Sequence, residues 1–320
     1  MTDNILTQKP DKKRNFQWLF LILGPVVMLM TCLLDPPTGM SVAAFKTAGL
    51  AFWMASWWVS EVVPIPATAL LPLVISPLAD IAAIKSVAAP YAHPLIFLFL
   101  GGFLISIAME RWGLHKRIAL STMLYAGKKP SLQILAMMLV TAFLSMWMSN
   151  TATAVMMLPI ALSITNLVKQ SDPSNEGFGK ALLLSIAYGA SIGGIATLIG
   201  TPPNALMAAY LSDSYQIEIG FAQWMIVGVP LSLGMLIISW VWLTKFAYKV
   251  DANIKNDQKI DTKAVFSTQL KSLGIMQRAE KGVLFVFVLA ALCWIFRPLL
   301  GDITGLNISD TTIAIAAALL

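Results

Sequence analysis

Residues 130–168 read PSLQILAMMLVTAFLSMWMSNTATAVMMLPIALSITNLV, a stretch without one Asp, Glu, Lys, Arg or His, bounded by Lys128 and Lys129 before it and Lys169 after it. Lysines beside apolar spans mark the cytoplasmic side of a membrane. A single crossing puts the two flanks on opposite faces, whereas two passes joined in the middle keep both inside. Two helices rising about 1.5 Å per residue enter the membrane deeply without having to cross it. The segment is therefore expected to be a re-entrant helical hairpin, with its turn in the polar cluster SMWMSNT, Ser145 to Thr151.

The next long run, 180–211, carries no charge after Lys180 and is too long for one straight span, and its middle reads ASIGGIATLIGTPPNAL from Ala190 to Leu206. Gly193, Gly194 and Gly200 weaken a helix there. Pro202 and Pro203 remove two amide donors and push the preceding residue out of helical geometry. Two half-helices joined by an unwound loop, Gly200, Thr201, Pro202, Pro203 and Asn204, are expected at membrane depth.

The rest of the chain has the same character. With 58% hydrophobic residues, 12% charged residues and a mean hydropathy of +0.76, its natural solvent is lipid rather than water. Apolar runs at about 17–34, 41–60, 62–79, 93–110, 221–244 and 282–300 join the broken one at 180–211 as candidate spans. Several of the tryptophans, among them Trp53, Trp57, Trp58, Trp112, Trp224 and Trp240, lie toward the ends of such runs, where an amphipathic ring suits headgroup depth.

Basic residues fall before the first span, at Arg111 to Lys129, at Lys169 and Lys180, and from Lys245 to Lys281. That pattern predicts a cytoplasmic N-terminal tail over 1–16, an interfacial segment over 111–129 and a cytoplasmic linker over 245–281. The parity of crossings closes only with the hairpin in place. The net charge of +6 follows these loops, as orientation signals do, and argues against nucleic-acid binding. Cys32 and Cys293 lack CxxC spacing, so no disulfide framework or transition-metal site is indicated, and no organic cofactor is expected.

Non-helical backbone at bilayer depth survives only where protein or a water-filled cavity satisfies it, and transporters place substrates and coupling ions at such breaks. Helix N-termini offer amides to an anion, and unwound carbonyls offer oxygens to a cation. Asn150 and Thr151 are expected to cap the second hairpin helix and bind a carboxylate or similar oxyanion. Ser145, Ser149, Asn150 and carbonyls near Gly193 and Gly194 are expected to hold sodium, a hard cation suited to neutral oxygens. Neither motif contains Arg or Lys, so the charge for an anionic substrate comes from helix dipoles and bound cations. The bland alternative reads the SNT motif as an ordinary capped turn and the Gly-Pro segment as a kink.

Three stretches, HPLIFLFLGGFLISIAMERWGLHKRIAL from His93 to Leu120, SNTATAVMMLPIA from Ser149 to Ala161 and SIGGIATLIGTPPN from Ser191 to Asn204, resemble the divalent anion/sodium symporter family. The resemblance implies an all-α polytopic inverted-repeat transporter in the plasma (inner) membrane, a homodimer, and sodium-coupled transport of a small di- or trivalent anion, whether a dicarboxylate such as succinate, or citrate, or sulfate. It also implies an elevator motion, in which a transport domain holding 130–168 and 180–211 slides against scaffold helices over 17–110. The family's SNT, which contacts both substrate and sodium, maps onto Ser149, Asn150 and Thr151. No second SNT-like tip or second broken helix follows, so 282–320 reads as the start of a second repeat that is largely missing.

Other functions stay open: a non-transporting fragment, an anion channel lined by the same carbonyls, or an intramembrane hydrolase. The last rests on Gly189-Ala190-Ser191-Ile192-Gly193, which matches a G-x-S-x-G pattern but lacks an evident His partner, since only His93 and His115 exist. Glu61, beside Pro64 and Pro66, reads as an interfacial charge, and Lys46 as a snorkelling residue.

Overall fold

The computed structural model describes residues 12–126, 129–171, 176–250 and 262–320, and among them every regular element is helical. The chain forms two compact units, Met1–His93 and Pro94–Leu320. Three stretches of the described residues, Ile84–Arg111, Glu176–Ile195 and Phe221–Ala247, are long and apolar enough to cross a membrane.

In the first unit, α1 (Lys12–Leu33) and α2 (Val42–Ser60) pack antiparallel. Gly49 lies against Thr31 and Gly24 against Trp53, and the Trp57 indole donates to the Leu21 carbonyl at 3.4 Å. Ser41 caps α2 by accepting from the Ala44 amide at 3.2 Å. Trp18, Leu19, Ile22, Leu29 and Leu33 leave α1 with a broad exposed apolar face, which suits lipid contact.

The run at 62–79, expected as one span, folds instead as two short helices, α3 (Ile65–Thr68) and α4 (Leu71–Leu78), followed by α5 (Ile84–Ala88). Pro66 and Pro72 each stand at a helix start, where a missing amide costs nothing, and so favour two beginnings over one continuous helix. Lys46 donates to the Ala79 carbonyl at 2.8 Å, so its ammonium has a protein partner.

The second unit begins with α6 (Pro94–Arg111), which Gly113, at a φ of +72°, turns into α7 (Leu114–Tyr125). The face of α7 carrying Leu114, Ala119, Leu120 and Met123 is buried, and α7 packs against α8 (Pro130–Ser145) and α13 (Thr262–Ser272). Arg117 holds both carboxylate oxygens of the buried Glu280 and the Gly274 carbonyl. His115 is buried with Nδ1 3.2 Å from the Met109 carbonyl, and burial pushes its imidazole below the ordinary range.

After α8 come α9 (Asn150–Ser171), α10 (Glu176–Ile195), α11 (Pro202–Tyr215) and α12 (Phe221–Val241), the last ending in a π-helical turn at Trp242–Ala247. The run at 282–300 is not one straight span. It forms α14 (Arg278–Ile295) and α15 (Arg297–Thr304), bent by 78° where Pro298 starts a new helix. At the start of α16 (Asp310–Leu319), Asp310 accepts from the Phe221 amide at 2.9 Å and pairs with Arg297 at 3.3 Å.

The hairpin arms are ordered by close contacts with α10. Gly189 and Gly193 approach the backbone at Met138 and Ala142, both sequences advancing together, so α10 runs parallel to α8. Gly179 meets Thr165 and Gly194 meets Asn150 in the opposite order, so α10 runs antiparallel to α9. The arms are therefore antiparallel to each other. A methyl group on Gly193 would overlap the Ala142 carbonyl, so only glycine permits this approach, as small residues do between membrane helices. The helix–turn–helix and the broken helix expected from the sequence are both present as elements.

Candidate functional site

The parallel course of α8 and α10 brings the hairpin turn and the helix break to the same end. The turn occupies residues 146–149, inside the expected cluster. Its Met146 carbonyl accepts from the Thr197 hydroxyl in the break, and its Trp147 carbonyl accepts from Ser106 of α6 at 2.6 Å. The Trp147 ring stacks on Phe221 and Trp294 and meets Phe287 edge-on, with centroids 5.8, 6.1 and 5.0 Å away. Aromatic packing and two hydroxyl bonds thus fix the turn from several elements.

Ser149, rather than Asn150 or Thr151, caps α9: its Oγ accepts from the Ala152 amide at 3.3 Å and its carbonyl from the Thr153 amide at 3.0 Å. Asn150 and Thr151 become the first two helical residues, and their amides donate to no group among the described residues. Ser149 and Asn150 are half-buried and Thr151 is exposed. This end of α9 therefore presents two free amides, a hydroxyl and a side-chain amide, backed by the positive end of a helix dipole.

Behind the tip is a different chemistry. The fully buried Ser145 Oγ lies 2.7 Å from Asn150 Oδ1 and 2.7 Å from the Ala190 carbonyl oxygen. One hydroxyl proton makes a full hydrogen bond to only one of two acceptors. A cation coordinated by these oxygens, or an Asn150 amide turned to donate, relieves the deficit. Gly194 gives Asn150 its place, since a methyl group there would overlap the Asn150 side chain. No group of three or more His, Cys, Asp or Glu able to hold a metal occurs among the described residues, and Ser191 is exposed on α10 without a hydrogen bond among them.

The break runs over residues 196–201. Pro202, Pro203 and Asn204, expected in the loop, form the first turn of α11 instead, with Thr201 as its N-cap. Asn204 is buried, and its Nδ2 donates to the carbonyls of Gly194 at 2.9 Å and Thr197 at 2.7 Å, with Ile195 at 3.5 Å. It closes the carbonyl end of α10. The Gly193 carbonyl accepts from the Ala196 amide at 3.0 Å, and Gly200 packs on Gly194. From α12, Trp224 donates to the Ile195 carbonyl and Ser232 to the Ile192 carbonyl, each at 2.9 Å, with Gly228 against Ala196 between them.

Sequence reasoning did not single out Ala190, Thr197, Ser106 or the buried, unbonded Thr153 hydroxyl one turn into α9. An Ala carbonyl leaves no trace in residue type. A Thr in an apolar run announces only that its hydroxyl needs a partner.

The citrate transporter profile matches residues 55–320, covering the hairpin, the break and the helices that hold them. The chain belongs to the citrate transporter family. It is 39% identical over 324 residues to the sodium-dependent dicarboxylate transporter SdcS of Staphylococcus aureus strain USA300, covering 98% of this chain and 61% of that protein. It is 40% identical over 301 residues to the protein of the same name from Staphylococcus saprophyticus, covering 92% of this chain and 57% of that protein. The chain thus spans about three-fifths of the length of these relatives. Family membership and long apolar helices make it an integral membrane protein, consistent with the divalent anion/sodium symporter resemblance.

Proposed function

We propose that the chain takes part in sodium-coupled transport of a small dicarboxylate. The observation that carries this reading is the meeting of two unlike surfaces at one side chain, Asn150: free amides at the start of α9, and the buried oxygens of Ser145 and Ala190 beside its Oδ1. The substrate carboxylate binds Ser149, Asn150 and Thr151 at the tip. Sodium binds Ser145, Ser149, Asn150, the Ala190 carbonyl and backbone near Gly193 and Gly194. Coupling follows because Asn150 belongs to both sets: sodium on its oxygen fixes the amide that the anion meets and adds the positive charge that the site lacks.

In this reading 130–168 re-enters the membrane from the cytoplasm, the N-terminus is cytoplasmic, and the protein works in the plasma membrane. The family resemblance adds a homodimer and an elevator movement of the hairpin and broken helix. The names of the relatives support a dicarboxylate substrate and sodium as the coupling ion.

Reconstitution in liposomes tests the proposal. An inward sodium gradient is expected to drive saturable uptake of labelled succinate, lost when choline replaces sodium. Non-saturating flux indifferent to sodium identifies a channel, and no uptake identifies a fragment that does not transport alone.

A further inference from the structure

Thr197 is fully buried in the break, and its hydroxyl and its carbonyl both have hydrogen-bond partners. Its hydroxyl donates to the Met146 carbonyl of the hairpin turn and accepts from the Gly200 amide at 3.1 Å, while its carbonyl accepts from Asn204 Nδ2 at 2.7 Å. No other hydrogen bond reaches the Met146 carbonyl among the described residues. The hydroxyl is thus the hydrogen-bonded tie between the turn leading into Asn150 and the loop leaving Gly194, and both of those residues flank the buried oxygens.

We propose that Thr197 is a positioning residue that holds the two breaks in register, so that a cation among the Ser145, Asn150 and Ala190 oxygens is sensed at the anion-facing end of α9. The inference rests on the sodium-coupled reading above and adds to it the residue that transmits the coupling. Thr197 touches neither ion. It acts by denying the turn freedom to drift from α10, because a buried carbonyl stripped of its donor moves to find another.

The test is a graded series, Thr197→Ser, Thr197→Cys and Thr197→Val, in the full chain. These keep a strong donor, a weak donor and none, at similar size. Sodium activation of succinate uptake is expected to stay near that of the parent for Ser. For Val the half-activating sodium concentration is expected to rise about fivefold or more, the scale of one neutral hydrogen bond, with Cys between. A purely structural role lowers the amount of folded protein without ordering sodium affinity by donor strength. Equal sodium dependence across the series overturns the proposal, and the Cys and Ser variants keep it testable if Val does not fold.

A second readout needs no transport. With Cys32 and Cys293 replaced by Ser, a Thr151→Cys probe is labelled by a maleimide in the absence of sodium. Thr197→Val is expected to speed that labelling, and an unchanged rate overturns the tie. If the parent shows no sodium-driven uptake, the functional reading fails, while the labelling rate still decides whether Thr197 holds the turn.

Discussion

The hairpin tip and the helix break are both interruptions of apolar helices, and both start a new helix, but they spend their polar groups in opposite ways. At the tip, α9 begins with Asn150 and Thr151, whose amides are free. At the break, α11 begins with Pro202 and Pro203, which have no amides to offer, and the carbonyls ending α10 are taken by Asn204, Trp224 and Ser232. One interruption leaves amide donors unpaired, whereas the other offers none and already gives these carbonyls a donor each, so that only their remaining lone pairs are left for a cation. A polar break in a membrane helix is thus not by itself a binding site; what distinguishes the two is which backbone groups remain unpaired after the neighbours have been served.

Removing the tip's side chain should have the largest effect. Asn150→Ala deletes a group shared between both proposed ligands, and sodium-driven succinate uptake is expected to fall about 100-fold, the scale of losing two or more hydrogen bonds to charged partners, with surface expression unchanged. Retained uptake breaks the distinction between tip and break.

Gly193→Ala tests the scaffold beneath both regions. The added methyl meets the Ala142 carbonyl rather than a movable side chain, so the purified protein should lose about 1–3 kcal/mol of stability or more, read as a lower Tm. Asn204→Ala leaves the carbonyls at the end of α10 without their donor and is expected to cost about 1–3 kcal/mol, with the half-saturating succinate concentration little changed if the anion binds at the tip as proposed. A large rise in that concentration with stability intact assigns the anion to the break instead. The smallest effect belongs to Pro203→Ala, which restores one exposed amide at the start of α11. Uptake is expected to stay within about twofold of the parent, since the substitution acts mainly by relaxing the unfolded chain.

Much of this architecture was legible as charge and spacing. The uncharged run between Lys129 and Lys169 and its single polar centre predicted two arms and a turn, and the turn lies inside Ser145 to Thr151. The Gly-Pro run predicted a broken helix, although the prolines proved to begin the second half rather than fill the gap, as Pro's preference for the first helical turn explains. Hydropathy read over some twenty residues merged α3 with α4 and passed over the bend at Phe296, because such an average is blind to a proline that merely starts a new helix. The motif SNT predicts a capped helix start, but which of its residues is the cap depends on where the backbone turns helical, and the capping bond belongs to Ser149 rather than to Asn150 or Thr151. Ala190 and Thr197 enter the site through a carbonyl and through a contact across 51 positions of sequence, neither of which residue type encodes.

Everything assigned to Asn150 depends on the hairpin entering and leaving the membrane on one side. Single cysteines at Lys129 and Lys169, replacing those residues in a Cys32→Ser, Cys293→Ser chain, can be labelled in intact cells and in inside-out vesicles with an impermeant maleimide. Both are expected to react only in the inside-out vesicles. Labelling of one position from the outside and the other from the inside would make residues 130–168 an odd crossing and contradict the account.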